Sequence, residues 1–328
     1  GKYREAKASM TRAYAAFERL EVKDKGKRVS YLRLLCNISN ALQESEKAID
    51  YATEVAILAL TDDDRGFAYN ALGLAYGNKG EYDKALEYYE KDLAIQLKAL
   101  GAEHPDIGAS YNNIGSAYDN KGEYDKAIQY LEKALEIQLK TLGAEHPNVA
   151  SGYNNIGRTY SFKGEYAKAI GFMEKALEIS IKRLGAKHPN VGISYGTLGN
   201  AFSKKEDYEK AIEYLQKSLQ LLLGALGPKH PHVASSYDYL GSAYEAKGDK
   251  KLATQNFLKA LEIRKESLAA DHPKTATSYH NIGLLYANNG DRKNGLAYLS
   301  AAKAIRVKKL GADHPDTKET IAAINELK

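Results

Sequence analysis

Glu103-His104-Pro105 returns, lightly altered, every 42 residues: as Glu145-His146-Pro147, Lys187-His188-Pro189, Lys229-His230-Pro231, Asp271-His272-Pro273 and Asp313-His314-Pro315. A fixed period of this size marks a repeat architecture, in which each unit buries its apolar face only against its neighbours. The 328 residues therefore count stacked units rather than globular domains. The expectation is one elongated body whose long surface binds other chains.

Outward from this connector, Ile107 to Tyr118 spaces Tyr111, Ile114 and Tyr118 three and four apart. Asp125 to Leu142 carries Ala127, Ile128, Leu131, Ala134, Leu135 and Leu139 on one face. Both are helical periods, not strand alternation. Lys121-Gly122 reads as the turn between the two helices, Gly143 as the end of the second, and Pro147 as the first turn of the next. Each unit is a hairpin of a helix A and a helix B, and Gly-x-x-His-Pro joins it to its successor. The turn glycine recurs at Gly80, Gly122, Gly164, Gly248 and Gly290, with Glu206 in the remaining register position.

The pattern predicts an all-α fold of about 16 helices. Degenerate helices occupy 1–64, six 42-residue units occupy 65–310, and a capping helix without a B partner occupies 311–328. Within the first segment, Gly1–Ala6 reads like a B helix, and a further pair spans Lys27–Ala41 and Ser45–Leu60. Thr61-Asp-Asp-Asp is a good N-terminal cap for the helix after it. The chain opens at Gly1 rather than Met, inside a repeat-like segment, so a fragment of a longer protein is expected.

Composition narrows the function. Basic residues number 47 and acidic residues 42, a near balance that speaks against nucleic acid, which favours a clustered basic face. The single cysteine, Cys36, rules out an internal disulfide, fits a reducing, cytoplasmic setting, and reads as a packing residue. Apolar stretches such as Ala56–Leu60 and Leu219–Leu226 fall short of the ~20 residues that cross a bilayer. No metal site is expected: six of the eight histidines stand once per repeat before proline, which points to connector geometry, and no Cys/His cluster has ligand spacing. The 25 tyrosines fall mostly at two helix A positions and at the turn, which makes them architecture rather than base-stacking platforms. No phosphate loop or catalytic signature occurs, so neither a cofactor nor an enzymatic activity is expected.

Tyr111, Ile114, Gly115, Tyr118, Ala127, Leu131 and Ala134 resemble the tetratricopeptide repeat signature in its longer, 42-residue form. The connector Leu-Gly-Ala-Glu-His-Pro and the Asn-Asn-Ile-Gly of helix A are most similar to kinesin light chain and nephrocystin-type repeats. The resemblance covers Arg65 to Leu310. It implies a right-handed superhelical solenoid of antiparallel helix pairs, with an inner groove lined by helix A positions two, five, six, nine, twelve and thirteen. Gly115 would let helix A approach helix B closely, with Ala127 and Ala134 keeping that contact tight.

On those positions, five and six bring Asn70, Asn112, Asn113, Asn154, Asn155, Asp238, Tyr239, His280 and Asn281 toward the groove, nine brings Arg158 and Asn200, and thirteen brings Lys204. Asparagine is a poor residue in mid-helix, so its recurrence needs a reason. An amide both donates and accepts and could pair with the backbone of an extended peptide. The competing reading is that these amides bond neighbouring helices and set repeat curvature. The expected function is a non-enzymatic scaffold that holds a peptide segment of a partner protein, with an acidic residue beside Arg158 and Lys204. A sensor arm of a larger signalling protein and a kinesin light chain-like cargo adaptor are the alternatives. Self-association through the terminal repeats is a further expectation.

Overall fold

The computed structural model describes residues 24–42, 44–268 and 271–327, together with Ser9 and Arg12; the B-like helix expected at Gly1–Ala6 lies outside them. Fifteen helices and no strand occur among the described residues. The chain divides into two compact units, Gly1–Ala144 and Glu145–Lys328.

The first unit holds α1 (Lys25–Ala41), α2 (Ser45–Leu58), α3 (Asp62–Asn78), α4 (Tyr82–Leu100), α5 (Pro105–Lys121) and α6 (Tyr124–Leu142). The second holds α7 (Pro147–Lys163), α8 (Tyr166–Leu184), α9 (Pro189–Lys204), α10 (Tyr208–Leu226) and α11 (Pro231–Lys247). It continues with α12 (Lys250–Ser267), α13 (Pro273–Asn288), α14 (Arg292–Leu310) and α15 (Pro315–Glu326). Within each unit every helix packs on the next in the chain, and the tightest pairs are the A/B hairpins.

The hairpins share one packing rule. Helix A buries Leu72, Ile114, Ile156, Leu198, Leu240 and Ile282 at one register position. The residue after each is glycine, and a large side chain of helix B fills the space a Cβ would need. At Gly73 it would meet the Tyr89 ring at 2.6 Å, at Gly115 Leu131 at 2.8 Å, and at Gly241 the Phe257 ring at 2.7 Å. Each such side chain, buried against a flat glycine face, contributes about 1.5–3 kcal/mol of transfer free energy.

Tyrosine is architectural at most of its repeat positions. Tyr88 lies between Tyr69 and Tyr76, stacked on Tyr76 with centroids 5.6 Å apart. Tyr130, Phe172, Tyr214 and Tyr298 repeat the arrangement in later hairpins. Cys36 is fully buried and its Sγ faces the carbonyl of Ala48; burial pushes its thiol up to about 11, as the packing reading requires.

The connector explains its own conservation within the chain. In all six copies the histidine is the N-cap of helix A, and its Nδ1 accepts the backbone N–H two residues on, at 3.1–3.2 Å. Proline follows at the first helical position, where its missing N–H costs nothing. Among the described residues no three His, Cys, Asp or Glu side chains gather as a metal site, and no helix is long and apolar enough to cross a membrane.

Candidate peptide-binding cleft

Six of the expected groove residues converge in the second unit. Asn154, Asn155 and Arg158 of α7, Asn200 and Lys204 of α9, and Tyr239 of α11 line one cleft of about 420 Å³. The register does this: side chains three or four apart share a helix face, and successive A helices present the same face side by side. Ser161, Phe162, Met173, Ile193, Ser194 and Thr197 complete the walls. The Lys204 Nζ stands 5.6 Å from the centre of the Phe162 ring. A smaller hollow of about 260 Å³ adjoins it, sharing Asn154, Ile193 and Ser194 and adding Arg183.

The chemistry of this cleft is one-sided. Among its lining residues are two cations and no carboxylate. Phe162 and Tyr239 expose large apolar surfaces, 52% and 36% respectively. Three amides supply paired donors and acceptors between them. The arrangement suits a polypeptide that offers a carboxylate, an apolar side chain and unpaired backbone groups.

The other expected residues are placed differently. Asn112 and Asn113 of α5 and Asn281 of α13 are partly buried. Asn70, Asp238 and His280 all stand at position five and face the junction between one hairpin and the next. The Asn70 Nδ2 donates to Asp92 of α4 at 3.2 Å; Gln96 donates to the same carboxylate, and Ser110 of α5 donates to Gln96 at 2.9 Å. Asp238 is ion-paired with buried Arg264 of α12, which also donates to Ser278 of α13. The His280 Nδ1 lies 3.3 Å from the Thr320 hydroxyl of α15. Arg306 of α14 donates to that hydroxyl and to the Asp316 carbonyl at 2.6 Å. Where position five is Gly196, Ser218 and Ser236 hydroxyls meet instead, at 3.2 Å.

At these repeats, position five serves hairpin stacking, the role weighed against peptide contact from sequence. Burial pushes the Asp238 carboxyl up to about 6, with Arg264 opposing. Burial also lowers the His280 imidazole, reinforced by Arg306 and opposed by Glu319 and Asp316. The seam partners went unread in the sequence although a signal existed. Asp238 and Arg264 break their respective register positions in the same hairpin, where Gly196 and Leu222 stand one period earlier.

The fold defines an all-α repeat protein, with a cleft among three of its A helices. The chain belongs to the tetratricopeptide repeat family. One family model described as tetratricopeptide repeat matches residues 64–139, 120–182, 163–223 and 192–266, and a second such model matches 275–316. Nearly identical TPR-like repeats described as kinesin light chain, from Podosopora anserina, are 28% identical; the match covers 63% of this chain and 98% of that one, with a TM-score of 0.52. The apo form of RapI is 16% identical over 99% of this chain and 93% of its own, with a TM-score of 0.68. The tetratricopeptide repeat sensor protein PH0952 from Pyrococcus horikoshii, a signal transduction ATPase with numerous domains, is 22% identical. That match covers 92% of this chain and 44% of PH0952, with a TM-score of 0.65. No curated protein matches the chain.

Proposed function

We propose that this chain is a non-enzymatic protein-interaction scaffold, and that the cleft between α7, α9 and α11 takes an internal peptide segment of a partner protein. The observation that carries the reading is the meeting of Arg158, Lys204, Phe162 and Tyr239 with three amides in one carboxylate-free hollow. A peptide with an acidic residue beside a large apolar one satisfies all three chemistries. Its carboxylate would pair with Arg158 or Lys204, its apolar side chain would cover Phe162 and Tyr239, and its backbone would meet Asn154, Asn155 and Asn200.

The test is peptide panning against the full chain, followed by anisotropy with the enriched peptide. Arg158→Glu with Lys204→Glu is expected to weaken binding by roughly a hundredfold, the scale of two charge-assisted contacts, and a cooperative thermal melt checks that the variant folds. Binding unchanged by the double substitution would place the peptide elsewhere. A second reading, a sensor arm within a larger signalling protein, is supported by the likeness to the repeat sensor of PH0952, of which the match takes up less than half.

A further inference from the structure

On the B side of the same unit, one repeat departs from a bridge that its neighbours make. The residue before the connector histidine pairs with the B-helix residue 37 positions later: Glu103 with Lys140 at 3.4 Å, Glu145 with Lys182, and Asp271 with Lys308 at 3.0 Å. The Lys229–Glu266 pair keeps the bridge at 3.1 Å with its charges exchanged. In the remaining repeat the two positions hold Lys187 and Gly224. Here the connector has turned cationic and the helix has lost its side chain altogether. The next helical residue, Ala225, stands where Arg183 stands one period earlier.

A hollow of about 570 Å³ opens at this point, floored by Leu221, Gly224 and Ala225 and edged by Lys187, Tyr195 and Lys217. No carboxylate lines it, and it shares no residue with the peptide cleft. Lys217 is paired with Glu213 at 2.6 Å, whereas Lys187 has no ion pair among the described residues. A Cβ built at Gly224 meets nothing within 4 Å. The floor is open, apolar and small-sided, and its one unmatched charge is positive.

From this broken bridge we infer that the Lys187–Gly224 hollow is a second docking site. Its occupant is a segment of a partner protein that brings an acidic side chain to Lys187 and an aliphatic one to the Leu221 floor. The incoming carboxylate occupies the place that the helix side chain fills in the repeats to either side. The vacant Cβ direction of Gly224 admits the partner's apolar residue. Charge complementarity selects an acidic segment over a basic one, because a second cation at Lys187 would meet like charge over an apolar surface.

The experiment pans a random phage-displayed peptide library on the full chain carrying Arg158→Glu and Lys204→Glu, so that the other cleft does not dominate selection. Enriched peptides are expected to combine Asp or Glu with Leu, Ile or Met. Measured by anisotropy, their binding should fall roughly tenfold or more with Lys187→Glu. It should fall as far with Gly224→Glu, which rebuilds the bridge in the Lys229–Glu266 sense and fills the hollow. Thermal melts on both variants confirm that they fold. Failure to enrich any peptide, enrichment of peptides without a carboxylate, or binding that survives both substitutions overturns the inference. A mass that doubles with concentration and reverts in Gly224→Glu also overturns it, by making a second copy of this chain the occupant. The outcome is independent of the peptide cleft, since the selecting chain already carries the substitutions that disable it.

Discussion

Glu206 carries the one left-handed backbone conformation outside glycine among the described residues, with φ of 66°. It stands where five other turns have glycine, at φ between 80° and 92°. A side chain with a Cβ is strained there by about 1–2 kcal/mol. Glu206→Gly is therefore expected to stabilise the chain by ~1 kcal/mol, less the extra freedom glycine has in the unfolded state. Urea denaturation reads this as a higher midpoint at unchanged slope, and a midpoint that falls would refute the strain. The same scale shows what a register can and cannot reveal. Helix A position seven was legible as core because the residue type repeats. Positions five and six are neighbours about 100° apart on the helix, so the pattern fixed the face only loosely. Asn70 and His280 thus turned into a seam while Asn155 and Tyr239 stayed on the cleft. Each seam partner lies on another helix, yet at a spacing that repeats: Gln96 with Ser110, Arg264 with Ser278 and Arg306 with Thr320 are all 14 residues apart, so the signal lay in the B-helix register rather than in helix A.

At the scale of elements, the helices end where punctuation sits. The expected pair at 27–41 and 45–60 is found at Lys25–Ala41 and Ser45–Leu58, and the terminal helix at Pro315–Glu326. Caps were only half legible. Asp207, Asp249 and Asp291 accept the N–H three residues on and so cap their B helices, whereas Glu81, Glu123 and Glu165 make no such bond at the equivalent place. The longer side chains of the glutamates instead pair with lysines, as Glu123 does with Lys121 and Lys126, both at 2.6 Å. The histidine cap is testable in the same terms. His188→Ala removes the acceptor for the Asn190 N–H and is expected to cost about 1 kcal/mol, while His188→Asn keeps an acceptor and restores most of it. Thermal or urea melts of the two variants that overlay each other would show that the ring matters for packing rather than for its nitrogen.

For the whole molecule, the buried ionisable groups set how stability follows pH. Burial lowers His280, and His232 and His272 are lowered as well, chiefly by desolvation. A histidine whose folded value lies below its unfolded one, about 6.5, contributes stability that is whole above that pH and is lost as pH falls through the folded value. Asp238 works the other way. Its folded value near 6 lies above the unfolded value of 3.8, so its contribution is whole below 3.8 and is lost as pH rises through 6. His280→Asn, which places at 280 the residue that the register carries at 112 and 154, separates the two. Relative to the unsubstituted chain its stability should fall less between pH 7.5 and pH 5, since Asp238 is common to both. Parallel stability curves would remove His280 from the account.

The chemistry at the hairpin junctions also has a consequence for assembly. A chain made of near-copies runs the hazard that a hairpin docks on the wrong copy while folding, the characteristic failure of repeat proteins. The core offers little protection, because Ile114, Ile156 and Ile282 are interchangeable. The junctions do not interchange. Arg264 set against Gly196 would bury a charge with no answering group, an error costing several kcal/mol. A hairpin that carries such a charge is thereby turned away by the wrong neighbour before the two can close on each other.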